Sequence, residues 1–284
     1  MPIKILNEGI ENQKEICVLS YSSYSVYKQC PNRYYREKVL KEPLEKVDET
    51  YTIPGRIVHD AASYYFETGS LEKFNKDYLR AELEKNGELE TVDYIKAYKS
   101  FDKALDLLYK SADNLQTFVE TRDRSAKLLS EQWFGTWEEP LVLSENLAIQ
   151  GAADLIEVLP NGSALLYDYK TSYNTKNLSR DQLMLYAIAA KIKWGIDISM
   201  ASFFMLPTNK QEYFSFTKED KQDLLNQLQK TANEILTVRE KLAIKKNDKC
   251  KYCPFYDSCG ASTLEKEVAS LGEGTVSFDF NAML

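Results

Sequence analysis

Four of the five cysteines have the spacing of a metal-binding site. Cys250, Cys253 and Cys259 lie in one C-x2-C-x5-C loop, and Cys30 lies 220 positions upstream, beside Pro31. Four thiolates can hold either a zinc ion or a 4Fe–4S cluster. Structural zinc sites usually pair two short Cys-x-x-Cys units, whereas one compact triplet with a remote fourth ligand favours the cluster. We therefore expect an iron–sulfur cluster, with zinc as the alternative.

Such a cluster would connect distant parts of the chain. Closing a loop from Cys30 to Cys250 is worth roughly 5 kcal/mol in chain entropy. That is comparable with the whole free energy of unfolding of a typical domain. The expected role is therefore a structural staple, for which redox chemistry is optional. Cys17 is left over and is expected only to pack.

A second chemical signal lies in an acidic segment at residues 151–172. Two apolar stretches flank Pro160-Asn161-Gly162, which is a strong hairpin signal. Asp168 and Lys170 are two residues apart at the end of the second strand and therefore share one face. A charged pair at the end of an apolar strand is costly unless it has partners.

The register of this hairpin decides whether Asp154 joins the pair. A two-residue turn would place Asp154 on the opposite face from Asp168. A three-residue loop, Pro160–Gly162, places Asp154 directly opposite Asp168. Proline first and glycine last fit a type I turn followed by a left-handed residue. We therefore predict the three-residue loop, with both aspartates and Lys170 on one face.

This arrangement predicts a divalent-cation site. Two carboxylates about 5 Å apart on facing strands repel each other unless a cation lies between them. A hard divalent cation takes such oxygen ligands, stabilises charge on a phosphate and activates water for phosphodiester hydrolysis. Lys170 could hold or polarise the attacking water. The alternative is a surface hairpin with a solvated Asp–Lys pair, and spacing alone leaves both open.

The order of the predicted elements indicates how these residues are positioned. Helical periodicity predicts helices over residues 20–40 in two pieces, 56–68, 71–86, 91–125, 179–194 and 218–243. Strand patterns cover residues 131–143, 146–159, 163–171, 198–206 and 210–216. This order predicts an α/β fold with a central mixed β-sheet flanked by helices.

We expect a single domain, residues 1–284, with four parts. They are an N-terminal helical insertion (55–130), a core (131–243), a cysteine loop (244–262, with Cys30) and a C-terminal tail (263–284).

Composition limits the location and the substrate class only weakly. The net charge of −7 argues mildly against nucleic-acid binding, although an acidic protein can carry a local basic patch. No apolar run approaches the ~20 residues that a membrane span needs, and residues 1–4 begin no signal peptide. We expect a cytoplasmic protein, where thiols stay reduced.

Four further residues are candidates. His59 is the only histidine, and a lone histidine is more often structural than a ligand. Gln182 and Tyr186 are four apart and share one face of the helix after the hairpin, although an ordinary amphipathic helix would show the same pattern. Arg180 lies nearby and could supply the positive field that a phosphate needs.

Taken in order, these motifs resemble the RecB-like branch of the PD-(D/E)XK nucleases. That branch includes the AddB nuclease domain and the CRISPR-associated four-cysteine exonucleases. The matching segments span most of the chain: Leu19–Tyr24 with Cys30–Pro31, Gly55–His59, Gly151–Asp154, Asp168–Ser172, Gln182–Tyr186 and the cysteine loop. Residues 70–130 are longer than in the compact CRISPR-associated members, which leaves the substrate geometry open.

The resemblance implies a restriction-endonuclease-like fold and a role for each residue. His59, Asp154 and Asp168, with the backbone carbonyl of Tyr169, would bind Mg²⁺ or Mn²⁺. Lys170 would be the catalytic lysine, acting with both aspartates. Gln182 and Tyr186 would shape the site and contact DNA, and the four cysteines would hold a 4Fe–4S cluster. Arg180 is expected to bind DNA because of its charge and position, not because of the resemblance.

The expected activity is metal-dependent hydrolysis of DNA. We expect an exonuclease acting on DNA ends or single strands in recombination, repair or phage DNA processing, in a bacterium or a phage-infected host. The alternatives are a structure-dependent endonuclease and a non-catalytic, cluster-stapled DNA-binding or scaffold module. A protein partner could dock on the helical insertion or on the tail around Phe278 and Phe280.

Overall fold

The computed structural model describes residues 3–7, 13–44, 50–89, 94–122, 125–176, 178–237 and 244–260. The described residues form two compact units: a larger one whose members fall within residues 2–24 and 48–237, and a smaller one whose members fall within 25–44 and 244–260. The predicted docking tail around Phe278 and Phe280 lies outside the described residues. None of the described helices is both long and apolar enough to cross a membrane.

The described residues form nine strands and eight α-helices. The strands are β1 (Ile3–Asn7), β2 (Gln13–Leu19), β3 (Lys127–Gly135), β4 (Leu141–Ser144), β5 (Leu147–Ile149), β6 (Gly151–Val158), β7 (Ala164–Lys170), β8 (Met200–Met205) and β9 (Lys210–Ser215). The helices are α1 (Tyr21–Gln29), α2 (Pro31–Tyr34), α3 (Ile53–Thr68), α4 (Lys76–Leu89), α5 (Tyr94–Tyr98), α6 (Phe101–Glu120), α7 (Arg180–Trp194) and α8 (Lys218–Thr237).

The central sheet has five strands in the order β3-β6-β7-β8-β9. Strands β7 and β8 are parallel and are joined through α7, whereas the other pairs are antiparallel. The predicted mixed sheet is therefore confirmed, and α7 is the crossover helix between its two parallel strands. A second sheet, β1-β2-β5-β4, was not predicted, because its first two strands precede the segment in which a pattern was recognised.

Helices cover the central sheet and complete the core. Helices α3, α4 and α6 share one hydrophobic cluster with Leu155, Tyr167, Tyr169 and Phe204 of the sheet. Helix α7 packs against β3, β7 and β8. Its run from Leu183 to Ala190 is buried apart from Tyr186, as expected for a crossover helix. The predicted α/β fold with flanking helices is confirmed.

The single helix predicted over residues 91–125 is wrong. The structure has α5 and α6, separated at Lys99, whose φ of 71° lies in the left-handed region. Ser100 caps α6, because its side-chain oxygen accepts a hydrogen bond from the Lys103 backbone N–H at 3.2 Å. Such a cap gives the chain a favourable alternative to continuing the helix through this position.

Two long predicted strands are also divided. The strand predicted over 131–143 is β3 and β4, joined by a turn in which the Thr136 N–H donates to the Glu139 carbonyl at 3.1 Å. The strand predicted over 146–159 is β5 and β6, which lie in different sheets. The predicted strands ran through both breaks, although Gly135 and Pro140 bracket the first and Gly151 follows the second.

The turn of the β6–β7 hairpin has the predicted length. The Leu159 N–H donates to the Ser163 carbonyl at 2.8 Å, and the Gly162 N–H donates to the Leu159 carbonyl at 2.9 Å. Gly162 has a φ of 83°, which favours glycine. Pro160–Gly162 is therefore a three-residue loop closed by a type I turn, as predicted.

Candidate active site

The two aspartates of the hairpin lie where β6 and β7 stop pairing. The register runs to Leu155 opposite Tyr167, so the next position places Asp154 opposite Asp168, as predicted. At this point a side chain takes the place of a backbone hydrogen bond between the strands. Oδ2 of Asp154 accepts a hydrogen bond from the backbone N–H of Tyr169 at 2.7 Å. The two strands part around this contact.

Both carboxyl groups are buried. Asp154 is 9% exposed and Asp168 is 2% exposed. Burial, followed by the charge of Asp154, raises the pKa of Asp168 to about 6. Burial also raises the pKa of Asp154, and Glu131 adds to this, while His59 and Lys170 oppose it. Without a cation, Asp154 and Asp168 do not both ionise readily. The site therefore favours binding of a positive charge.

A hydrogen-bond network joins Asp168 to the lysine and to α7. Nζ of Lys170 lies 2.5 Å from Oδ2 of Asp168. Nε2 of Gln182 donates to Oδ1 of Asp168 at 2.8 Å and to the Tyr186 hydroxyl at 3.1 Å. Nζ of Lys170 donates to Oε1 of Gln182 at 3.4 Å. The structure therefore brings together four of the residues singled out in the sequence.

Helix α3 brings His59 to the end of β7. Ile57 and Val58 anchor the helix in the core. At Gly55 an added Cβ would lie 3.1 Å from Oγ1 of Thr171, so glycine permits the close approach of α3 to the residue that follows β7. The His59 ring then lies 5.6 Å from the Tyr169 ring, edge to face.

Glu131 completes this site, and sequence reasoning missed it. Nδ1 of His59 lies 3.2 Å from Oε1 of Glu131 and 3.7 Å from Oδ1 of Asp154. Glu131 belongs to β3, which pairs with β6. The available signal was a single charged residue near the start of a predicted strand. Its relevance depends on the β3–β6 register, which no local pattern reveals.

The donor set fits a divalent cation. His59, Glu131 and Asp154 each offer one ligand atom, and these atoms all lie within 4.8 Å of one another. No other group of three or more His, Cys, Asp or Glu ligand atoms is this close within the described part of the chain. One imidazole nitrogen with carboxylate oxygens suits Mn²⁺ or Mg²⁺ better than a soft metal.

The same charges make the metal-free site sensitive to pH. Burial alone would lower the pKa of His59, but Asp154 and Glu131, with a smaller effect from Asp168, raise it from 6.5 to about 9. A histidine whose pKa is higher in the folded state than in the unfolded state stabilises the fold when it is protonated. This stabilisation is complete below the pKa of the unfolded state and is lost as pH rises through the pKa of the folded state.

We therefore expect the unfolding free energy of metal-free protein to fall as pH rises from 6.5 to about 9. The expected loss is on the order of 3 kcal/mol, since each pKa unit corresponds to about 1.4 kcal/mol. Urea unfolding in EDTA across this window measures it. The His59→Gln variant should have a shallower pH dependence, and parallel profiles for both proteins would contradict the assignment.

Arg180 does not join the site contacts. Its guanidinium pairs with Asp220 at 2.6 Å and donates to the Ser215 carbonyl at 2.7 Å. It also lies over the Phe216 ring, with 5.5 Å from Cζ to the ring centroid. These contacts tie the start of α7 to the segment that follows β9. A contact of Arg180 with DNA stays a prediction.

The four cysteines meet in the smaller unit. All four are free thiols that line one pocket: Cys30, Cys250, Cys253 and Cys259. Burial raises the pKa of Cys253, and the nearby Cys30 and Cys259 raise it further, whereas Arg33 lowers it. The Asn247 backbone N–H donates to Sγ of Cys250 at 3.3 Å. The fold therefore gathers the remote cysteine and the loop triplet, as predicted.

The fifth cysteine behaves differently. Cys17 is fully buried in β2, and burial raises the pKa of its thiol to about 12. It therefore stays protonated and packs, as expected.

Comparison with known proteins identifies the family. The profile of the PD-(D/E)XK nuclease superfamily matches residues 18–260, which is most of the chain. The chain belongs to the PD-(D/E)XK nuclease superfamily. Asp168-Tyr169-Lys170 has the (D/E)-x-K spacing after which the superfamily is named. Membership implies a nucleic-acid substrate.

Two solved structures resemble this superfamily member. A protein described as a "Putative exonuclease" from Eubacterium rectale matches with 13% identity and a TM-score of 0.45, covering 94% of this chain and 91% of its own. SSO0001 matches with 15% identity and a TM-score of 0.34, covering 74% of this chain and 97% of its own. No curated protein matches the chain.

Proposed function

We propose that this chain is a Mg²⁺- or Mn²⁺-dependent deoxyribonuclease that degrades DNA from its ends or as single strands. The observation that carries the proposal is the buried Asp154–Asp168 pair with Lys170 at its edge. A bound divalent cation would supply charge stabilisation for the scissile phosphate and lower the pKa of the attacking water. His59, Asp154, Asp168 and the Tyr169 carbonyl would hold it.

The remaining residues orient the water and the phosphate and hold the catalytic side chains in place. Lys170 carries its ammonium group to the mouth of the acidic pair, where it can orient water and meet the negative phosphate. Gln182 holds Asp168 with one end and Lys170 with the other, so it fixes the distance between them. Tyr186 fixes Gln182 in turn. A direct contact of Gln182 or Tyr186 with DNA is part of the same proposal.

The charge of the smaller unit supports a nucleic-acid substrate despite the net charge of −7. Its described stretches, 25–44 and 244–260, contain nine lysines and arginines but only four aspartates and glutamates. Phosphate binding depends on such local excess of positive charge rather than on the total. The acidic residues that dominate the total charge lie in the rest of the chain.

We further propose that the four cysteines hold a 4Fe–4S cluster, as in the RecB-like branch. A tetrahedral zinc ion with Zn–S bonds of ~2.3 Å brings its sulfurs to roughly 3.8 Å from one another. No three of these described sulfurs lie within 4.8 Å of one another. A four-iron cluster holds its thiolates farther apart and so suits this pocket better. The need for reduced thiols fits the expected cytoplasmic location.

Degradation of labelled DNA tests the activity. Linear single-stranded and duplex DNA carrying a 5′ or a 3′ label, and circular single-stranded DNA, would be incubated with Mg²⁺, Mn²⁺ or EDTA. We expect metal-dependent shortening of linear DNA with the circles left intact. Cleaved circles would show an endonuclease instead. Binding without cleavage under every metal condition would show a non-catalytic module and overturn the proposal.

A further inference from the structure

The backbone at Glu131 is unusual for a strand. Its φ of 46° is left-handed, a conformation that costs a non-glycine residue about 1 kcal/mol or more. Ser130 pairs with Leu155 and Gln132 pairs with Ala153, so Glu131 falls directly opposite Asp154 although these two form no ladder pair. The register is the same on both sides of Glu131, so the backbone distorts at this residue without a register shift there.

The distortion sends the Glu131 carboxylate towards His59. Its side chain is 27% exposed, and Oε1 lies 3.2 Å from Nδ1 of His59. Oδ1 of Asp154 lies 3.7 Å from the same nitrogen. Carboxylate oxygens gathered this closely repel one another unless a positive charge lies among them, so the arrangement favours a bound cation.

These separations are those of ligands around one ion. A cation with bonds of ~2.1 Å in octahedral geometry holds neighbouring donors roughly 3.0 Å apart. The two measured separations need little adjustment to reach that value. Asp168 is held mainly by Lys170 and Gln182, so Glu131 is the carboxylate that faces His59 together with Asp154.

We propose that Glu131 is a direct ligand of the divalent cation, sharing it with His59 and Asp154. This inference rests on the proposed function, because it places Glu131 in the same metal site. It adds a fourth side-chain donor to that site, from the edge strand β3. The left-handed backbone conformation of Glu131 would then direct its carboxylate from the edge strand β3 to the metal site.

An alternative role is purely positional. Glu131 could accept a hydrogen bond from Nδ1–H of His59 and so orient the ring without touching the cation. The two roles predict different results for Glu131→Gln. Glutamine keeps an oxygen that can accept the hydrogen bond, but it lacks the charge that makes carboxylate a good ligand.

Mn²⁺ binding to the full-length chain tests the inference without relying on activity. Calorimetry and the EPR signal of free Mn²⁺ would give the affinity of the parent, Glu131→Gln, His59→Ala and Asp154→Asn. Glu212→Gln is the matched control, because Glu212 is an exposed carboxylate on β9, the opposite edge strand. Circular dichroism melts would confirm that each variant folds.

We expect Glu131→Gln to weaken Mn²⁺ binding at least 10- to 100-fold and Glu212→Gln to leave it unchanged. An affinity within threefold of the parent for Glu131→Gln, with binding lost in His59→Ala, would overturn the ligand role alone. Unchanged binding in His59→Ala and Asp154→Asn would instead refute the metal site on which the proposed function depends. If Glu131→Gln does not fold, Glu131→Asp takes its place, and its shorter side chain should also weaken binding.

Discussion

Replacing Lys170 with methionine is expected to abolish DNA cleavage while the fold and DNA binding survive. Its ammonium group lies 2.5 Å from the buried Asp168, at the point where we place the reacting phosphate. Removing one positioned charge of this kind typically slows an enzyme by 10²–10⁴-fold, or about 3–5 kcal/mol of barrier. Methionine keeps the apolar length of the side chain, so the Phe203 ring beside it keeps its packing.

Lys210 offers a matched control for this experiment. Lys170 pairs with Met205 across the sheet, and Met205 pairs with Lys210, so Lys210 lies at the same level two strands away. Its side chain is exposed. Single-turnover degradation rates should collapse in Lys170→Met and stay at the parent value in Lys210→Met. Parent-like rates for Lys170→Met would remove this lysine from the proposed site.

Asp168→Asn should give the same loss of activity by a different route. Asparagine keeps an oxygen that can accept from Gln182 but cannot carry the negative charge that a cation needs. DNA affinity measured by fluorescence anisotropy in EDTA should be unchanged, because it does not require the cation. A variant that cut DNA normally would show that Asp168 is not part of the metal site.

The residues around this site differ in how far the sequence could predict them. The Asp154–Asp168 register followed from local chemistry, because proline and glycine at fixed positions select one turn type. Gln182 and Tyr186 followed from helical spacing. Glu131 could not be found this way. Its place depends on a pairing between strands separated by two further strands in the chain, and on a distortion that no propensity predicts.

The fold shows the same division between local and distant information. Helix α7 and strands β7 to β9 were predicted within a few residues, because periodicity and turns mark them. The split between α5 and α6 was missed, since the apolar face of the segment runs past Ser100 although the cap at that residue is a local signal. Sheet β1-β2-β5-β4 was missed because pairing, rather than alternation, defines its short strands.

Replacing Cys250 with serine is expected to remove the cluster and to destabilise the smaller unit. The parent protein should be brown, with absorbance near ~400 nm and about four irons per chain. The variant should lose both signals, since serine is a poor cluster ligand. Without the link from Cys30 to Cys250, the chain also loses roughly 5 kcal/mol of loop-closure stabilisation, which approaches the total for a domain.

Cys17→Ala separates this effect from the loss of any cysteine. Cys17 is buried in the larger unit and lines no part of the cysteine pocket, so its removal should cost only about 1 kcal/mol of packing and leave the colour intact. Hydrogen exchange should show faster opening of residues 25–44 and 244–260 in Cys250→Ser but not in Cys17→Ala. Colourless parent protein with one zinc per chain would establish zinc as the metal. Metal-free parent protein that unfolds at the same temperature as Cys250→Ser would show that these thiolates are not a staple.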